Sequence, residues 1–312
     1  MSFSKTLNKE VSDFLSLRKS LGYSDAKYQP ILSFIKFCDS AFPNFNNITK
    51  GMFDAWISDK DFKTKANLSA NISNVRIFLK YHVTMGGTAF IPGDEYSVGK
   101  VRYMPYIFND EEIKKLFESI DILGPCDTSP QRHFVVPVIF RMMYCCGMRP
   151  QEPVSLLYED VNTYTGEVYI RQSKKQKDRR ILMSADMAKL CRDYNSLCGN
   201  RKLFFERDDG TGYSTRWVNY QFHRCWKNSG LEKRGRVRPY DLRHNFATRT
   251  LMRWVDEKKD VNAAVPYLSA YMGHDCFSET FYYIHLIPEL LVKSPGIDWE
   301  RFSCIYPEVA YE

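Results

Sequence analysis

Several stretches of this chain hold residue types suited to chemistry on an anion. Cys146-Gly-Met-Arg149-Pro-Gln-Glu152 sets an arginine directly after an apolar run, and Arg171-Gln-Ser-Lys-Lys-Gln-Lys-Asp-Arg-Arg180 carries six basic residues in ten. Arg238-Pro-Tyr-Asp-Leu-Arg243-His244, Tyr271-Met-Gly-His274 and Phe281-Tyr-Tyr-Ile-His285 follow. A guanidinium stays charged at any relevant pH and its fork grips phosphate oxygens two at a time. A phenol, with an ordinary pKa near ~10, attacks only by giving up its proton, a cost that nearby cations lower. An amine can hand a proton to a departing oxygen. Cleaving a phosphodiester without a metal needs these functions: a nucleophile, neutralised non-bridging oxygens and a proton for the leaving group.

Singly these features are weak. An arginine after an apolar run is usually a structural charge, a tyrosine near the C-terminus is usually packing, and Gly-His pairs are commonplace. Their shared order and spacing carry more weight. The chain resembles the tyrosine recombinases, the phage integrase family, which carry a Gly-x-Arg-x-x-Glu box, a hairpin lysine, a His-x-x-Arg, a Gly-His pair and a tyrosine nine residues past that histidine, followed at two residues by another His. By that resemblance Arg149 and Arg243 hold the scissile phosphate, Glu152 orients Arg149, His274 hydrogen-bonds a non-bridging oxygen, and Tyr283 is the nucleophile with His285 in support. Lys174, with Lys177 as the alternative, protonates the leaving 5′-oxygen. Lys175, Lys177, Arg179, Arg236 and Arg238 are expected on DNA phosphates, with Lys233 and Arg234 in the same cluster.

Tyr240 stands where the family has its first histidine and is kept among the catalytic candidates, because its hydroxyl can donate to phosphate although it is a poor base at neutral pH. His244, beside Arg243, reads as a structural helix residue. Tyr282 adjoins Tyr283, but successive helical residues point about 100° apart, so one of them alone can face the phosphate, and the nine-residue spacing selects Tyr283.

The resemblance implies a site-specific DNA recombinase that cleaves and rejoins strands through a 3′-phosphotyrosyl intermediate, in integration or excision of a mobile element. It implies double-stranded DNA as partner, a homotetramer on two duplexes, accessory DNA-binding proteins, and neither cofactor nor metal. No Gly-x-x-x-x-Gly-Lys-Ser/Thr loop is present to hold a nucleotide. Two rival readings share this chemistry or fold: type IB topoisomerase-like relaxation, and a DNA-binding regulator without catalysis.

Composition agrees with a nucleic-acid partner. The 312 residues carry a net charge of +7 with the basic residues bunched, which favours a polyanion. The nine cysteines show neither zinc-site spacing nor the density of a small disulfide scaffold, so reduced thiols in a cytoplasmic protein are expected. No apolar run approaches the length of a membrane span.

The elements that must position these residues are mainly α. Val11, Phe14, Leu15 and Leu17, then Tyr28, Ile31, Leu32, Ile35 and Phe37 after a candidate Ser24 cap, then Met52, Phe53 and Trp56, then Leu68, Ile72, Val75, Phe78 and Leu79 recur at helical spacing. They predict four short helices in a domain spanning residues 1–90, the core-binding domain of the resemblance. Gly86-Gly87, Pro92-Gly93 and Gly99 predict an extended linker over 91–105. The catalytic domain, 106–312, is expected to be mixed but mostly α. It opens on a capping box at Asn109 to Glu112, buries a helix over Phe134 to Cys146, and carries a small antiparallel sheet with Val168 and Ile170 opposite Ile181 and Met183. A C-terminal tail follows Tyr283.

Overall fold

The computed structural model describes residues 3–23, 28–60, 62, 64–96, 104–171, 178–199, 201–232 and 235–285. The chain divides into two compact units, Met1–Tyr103 and Met104–Glu312.

In the first unit, helices α1 (Phe3–Ser20), α2 (Gln29–Ala41), α3 (Lys50–Asp59) and α4 (Lys65–Thr84) turn one apolar face each onto a common core. Phe14, Ile31, Phe34, Phe53, Trp56, Val75, Phe78 and Leu79 are all buried there, at about 1.5–3 kcal/mol for each large side chain removed from water. Leu17 and Leu32, expected in this core, are exposed. The Thr49 and Thr64 hydroxyls cap α3 and α4 by accepting the N–H groups of Met52 and Asn67 at 3.3 and 3.1 Å. Ser24 lies outside the described residues; α2 starts after Tyr28 with Pro30 in its first turn and no side-chain cap. Residues beyond α4 do not leave this core at once. The Phe90 N–H donates to Ile48 O at 2.7 Å, and the rings of Phe90 and Tyr96 pack on Phe53. The expected linker over 91–105 therefore begins with residues anchored to the first unit.

The second unit opens with α5 (Asp110–Asp121), held by the reciprocal Asn109–Glu112 capping box. Helix α6 (Arg132–Cys145) is apolar on most sides and forms its centre, with Val135, Val136, Ile139, Phe140, Met142 and Met143 buried. After the short α7 (Gln151–Ser155), strands β1 (Glu167–Ile170) and β2 (Arg179–Leu182) pair antiparallel with Val168 opposite Ile181. This register sends Val168, Ile170 and Ile181 into the core. Helices α8 (Ala185–Ser196) and α9 (Thr215–Asn228) follow, capped by Ser184 and Ser214. Helices α10 (Tyr240–Asp256), α11 (Val261–Met272) and α12 (Phe277–His285) close the unit around Ala247, Leu251, Val265, Leu268 and Met272.

Two polar side chains fix α10. Asp241 accepts the Arg238 N–H at 2.8 Å and so caps the helix start. The Asn245 amide accepts from Phe108 N at 2.9 Å and donates to Tyr106 O at 3.1 Å, stapling α10 to the segment that enters this unit. Among the described residues no helix is long and apolar enough to cross a membrane, and the eight described cysteines are free thiols.

Candidate active site

Helix α6 stops at a glycine that serves two purposes. Gly147 adopts φ +61, and a Cβ there would lie 2.4 Å from Cδ1 of Phe246 on α10, so the left-handed turn and the close approach both require glycine. The turn buries Met148 and Arg149. Glu152, in the first turn of α7, accepts from the Arg149 N–H at 2.7 Å and from Arg149 Nη1 at 2.9 Å. The arginine is thereby folded onto the carboxylate three residues ahead.

Helix α11 ends on Gly273, also left-handed (φ +64), with the His274 N–H donating to Ser269 O at 3.0 Å, the closure of a Schellman-type cap. The last carbonyls of a helix lack intrahelical donors and carry the negative end of its dipole. Three arginines supply the donors here. Arg179 Nε reaches Tyr271 O at 2.9 Å, Arg243 Nη2 reaches Met272 O at 2.6 Å, and Arg149 Nη2 reaches Gly273 O at 2.7 Å. Arg243 Nη1 also donates to Gly147 O at 2.5 Å. Guanidiniums from β2, α10 and the α6–α7 turn thus converge on one helix terminus.

Glu152 is the counter-charge inside this cluster. Both of its oxygens accept from Arg179, whose Nη1 and Nη2 lie at 2.7 Å. Burial alone would push the carboxyl up, but the Arg179 bonds and charge, the Arg243 charge and the Arg149 N–H outweigh it and hold the group at about 2. Burial works against the charge on Arg149 too, yet Glu152 and the Tyr240 hydroxyl, which bonds it, keep that guanidinium above its ordinary value. Arg243 is pushed down, chiefly by burial. Three cations against one carboxylate leave an excess of positive charge, and Arg243 is 0% exposed. An anion is what such a cluster is built to receive.

Tyr283 belongs to this place. Its ring is buried among the α10 and α11 side chains and stacks on His274 with centroids 6.0 Å apart. Burial pushes the phenol well above its ordinary pKa, against the pull of the Arg243 and Arg149 charges. His274 Nδ1 shares a hydrogen bond with Thr280 Oγ1 at 2.7 Å, so the helix that carries Tyr283 also fixes the imidazole. The Tyr283 hydroxyl pairs with His244 Nδ1 at 3.0 Å. Tyr282, about 100° round α12, is half-buried and meets Tyr283 edge to face.

The structure brings together Arg149, Glu152, Tyr240, Arg243, His274 and Tyr283. One expectation is corrected. Arg179, expected on a phosphate at the surface, has a side chain that is 7% exposed and braces Glu152, because its place in β2 points it at the end of α11. Arg238 is half-buried beside Asp241, while Arg236 is exposed. Lys174, Lys175, Lys177, Lys233, Arg234, the tail beyond His285 and the side chain of His285 lie outside the described residues. His244 and Thr280 were not among the expected site residues. Helical spacing held the signal for both: His244 is four residues past Tyr240 on one face of α10, and Thr280 is three before Tyr283 on α12. Among the described residues no three His, Cys, Asp or Glu side chains gather as a metal site would require.

Comparison with known proteins gives concordant matches. Residues 107–289 match the profile of the Phage integrase family. A Sinorhizobium fredii protein provisionally named integrase/recombinase y4rE is 26% identical over 301 residues, covering 94% of this chain and 96% of its own. Tyrosine recombinase XerC of Staphylococcus aureus is 25% identical over 237 residues, 73% of each chain. Among solved structures, lambda integrase (residues 75–356) as a dimer on a COC′ core site has a TM-score of 0.65 at 16% identity, over 88% of this chain and 94% of its own. Lambda integrase as a tetramer on a Holliday junction has a TM-score of 0.61 at 16% identity, over 88% and 78%.

Proposed function

The chain belongs to the phage integrase family of tyrosine recombinases, and from that premise we propose that its site-specific recombination of DNA runs through Tyr283, Arg149, Arg243 and His274. The observation that carries this reading is the meeting of three buried guanidiniums and one carboxylate at the end of α11, with the Tyr283 phenol inside their field. A scissile phosphodiester brings the missing negative charge.

Arg149 and Arg243 bind its non-bridging oxygens. Arg243 spends two of its five N–H groups on main-chain carbonyls, which fixes the plane of the fork before substrate arrives and so avoids reorganisation in the transition state. His274, with Nδ1 engaged by Thr280, presents Nε2 as a further donor. The Tyr283 oxygen attacks phosphorus, the bond to the 5′-oxygen breaks, and the strand is held as a 3′-phosphotyrosine. Lys174, or Lys177 in its stead, protonates the departing 5′-oxygen. A 5′-hydroxyl from another strand reverses the attack, so partners are exchanged without a nucleotide cofactor.

The helical unit, residues 1–90, serves as a core-binding domain for DNA. Arg236 meets phosphates near the cut, and Lys175 and Lys177 meet others. The assembly is a homotetramer on two duplexes, a reading supported by the lambda integrase tetramer on a Holliday junction. The protein works in the cytoplasm on DNA of a mobile element, together with accessory DNA-binding proteins.

The test is covalent trapping. A nicked suicide duplex, whose cut fragment diffuses away, accumulates a protein–DNA adduct with the wild type. Tyr283→Phe forms none yet binds the duplex with unchanged affinity, whereas Tyr282→Phe still forms it. An adduct that survives Tyr283→Phe would remove Tyr283 from the mechanism.

A further inference from the structure

The cleavage step requires the Tyr283 proton to go somewhere, and the family position that might take it is held here by Tyr240, a poor base. The Tyr240 hydroxyl is in any case engaged with Arg149. His274 is no better placed, because its Nδ1 is committed to Thr280. One other basic nitrogen touches the reacting oxygen. His244 Nδ1 lies 3.0 Å from the Tyr283 hydroxyl, within the reach of a general base, and the two rings sit 5.5 Å apart at 52°. On α10, His244 is one turn beyond Tyr240, and their rings are in contact at 4.9 Å.

We propose that His244 is a catalytic residue of this recombinase, the general base that accepts the Tyr283 proton during cleavage and returns it during rejoining. The inference rests on the assignment of Tyr283 as nucleophile. In cleavage the phenolic O–H bond gives its proton to Nδ1, the oxygen forms the bond to phosphorus, the bond from phosphorus to the 5′-oxygen breaks, and that oxygen takes the proton already assigned to the Lys174 or Lys177 ammonium. In rejoining, the 5′-hydroxyl returns its proton to the amine and its oxygen bonds phosphorus, the bond from phosphorus to the Tyr283 oxygen breaks, and the imidazolium gives its proton back to that oxygen.

The surroundings keep the ring neutral, and so able to accept, while weakening it as a base until a phosphate is bound. A neutral imidazole carries one N–H, so Nδ1 can accept from the phenol when the proton sits on Nε2. Burial, and then the charges of Arg238, Arg243 and His274, hold the ring far below its ordinary value, at about 3. The free enzyme therefore keeps the ring unprotonated. The negative charge of a bound phosphodiester offsets those same guanidiniums, so the affinity of the ring for a proton rises as the phenol loses its own.

The experiment uses the full-length protein and a nicked duplex in two forms, one with an oxygen and one with a bridging sulfur at the 5′ leaving position. A sulfur leaving group departs without being protonated, so it rescues a lost general acid and does nothing for a lost base. His244→Ala is expected to slow adduct formation about 10²-fold on both duplexes, with duplex affinity unchanged and with partial recovery on adding imidazole. His244→Asn, whose side-chain oxygen can accept the hydroxyl bond but cannot take a proton, is expected to be as slow and to resist imidazole. Rates within threefold of wild type for both variants, or rescue by the sulfur duplex, overturn the proposal while leaving Tyr283 as nucleophile. A wild type that forms no adduct at all defeats the functional reading instead. Should either variant fail to fold, nitrogen NMR of histidine-labelled wild type decides: an unprotonated Nδ1 whose signal shifts in Tyr283→Phe supports the assignment, and a protonated Nδ1 overturns it.

Discussion

Glu152→Gln isolates the charge that holds the arginine cluster together. The substitution keeps the shape of the side chain, removes its charge, and places an NH₂ donor where one oxygen accepts from Arg149 or Arg179. A carboxyl held at about 2 against an ordinary 4.5 is favoured in its ionised form by about 3 kcal/mol. Removing one partner from a buried ion pair costs about 3–5 kcal/mol by a separate argument, the charge left behind. Both routes give a loss that is a large part of the ~5–15 kcal/mol that holds a domain folded.

In a unit of this size such a loss lowers the melting temperature by about 10 °C, and differential scanning calorimetry of the full chain at pH 7 measures it. The pH dependence has a definite sign. A carboxyl whose folded pKa is depressed stabilises fully above its unfolded value, and the contribution disappears as pH falls from about 4.5 to about 2. The gap between wild type and Glu152→Gln should therefore narrow through that window. A variant that loses less than about 1 kcal/mol at pH 7, or a gap that stays constant down to pH 3, would refute the idea that this carboxylate neutralises the cluster.

Three further outcomes follow from the same geometry. Gly147→Ala must place a methyl group 2.4 Å from the Phe246 ring at φ +61, and is expected to cost about 2 kcal/mol, read as a lower urea midpoint at unchanged slope. Arg179→Ala is expected to lower the melting temperature and leave the salt dependence of duplex binding as it is, whereas Arg236→Ala, at an exposed position, lowers the slope of log affinity against log salt by about one. Thr280→Val removes the hydroxyl bonded to His274 and is expected to slow adduct formation about tenfold at unchanged duplex affinity, measured on the nicked substrate.

Much of this could be read in the chain because the governing signals are local. Asn109 and Glu112 announce their capping box, Gly147 and Gly273 mark turns that admit little else, and alternation at Val168, Ile170 and Ile181 marks the two strands. Arg149, Arg243 and Tyr283 are singled out through the resemblance, by the order and spacing of its motifs, and the fold gathers the three. What escaped was direction. Arg179 sits in a basic run that looks solvated as text, and only the β2 register, together with the end of α11, turns it inward. His244 looks like a filler after Arg243 until α12 packs on α10 and sets a phenol against its ring. Residues 91–96 read as a linker because Pro92 and Gly93 break the helical pattern, yet Ile91 and Tyr96 still find the apolar surface around Phe53.

The anchors of Arg149 and Arg243 include peptide oxygens of Gly147, Met272 and Gly273. Every amino acid offers the same oxygen, so no neighbouring side chain has to be kept for that part of their placement. Descendants of this sequence can therefore replace much of what surrounds the two turns and still inherit a working grip, as long as the backbone bends in the same two places.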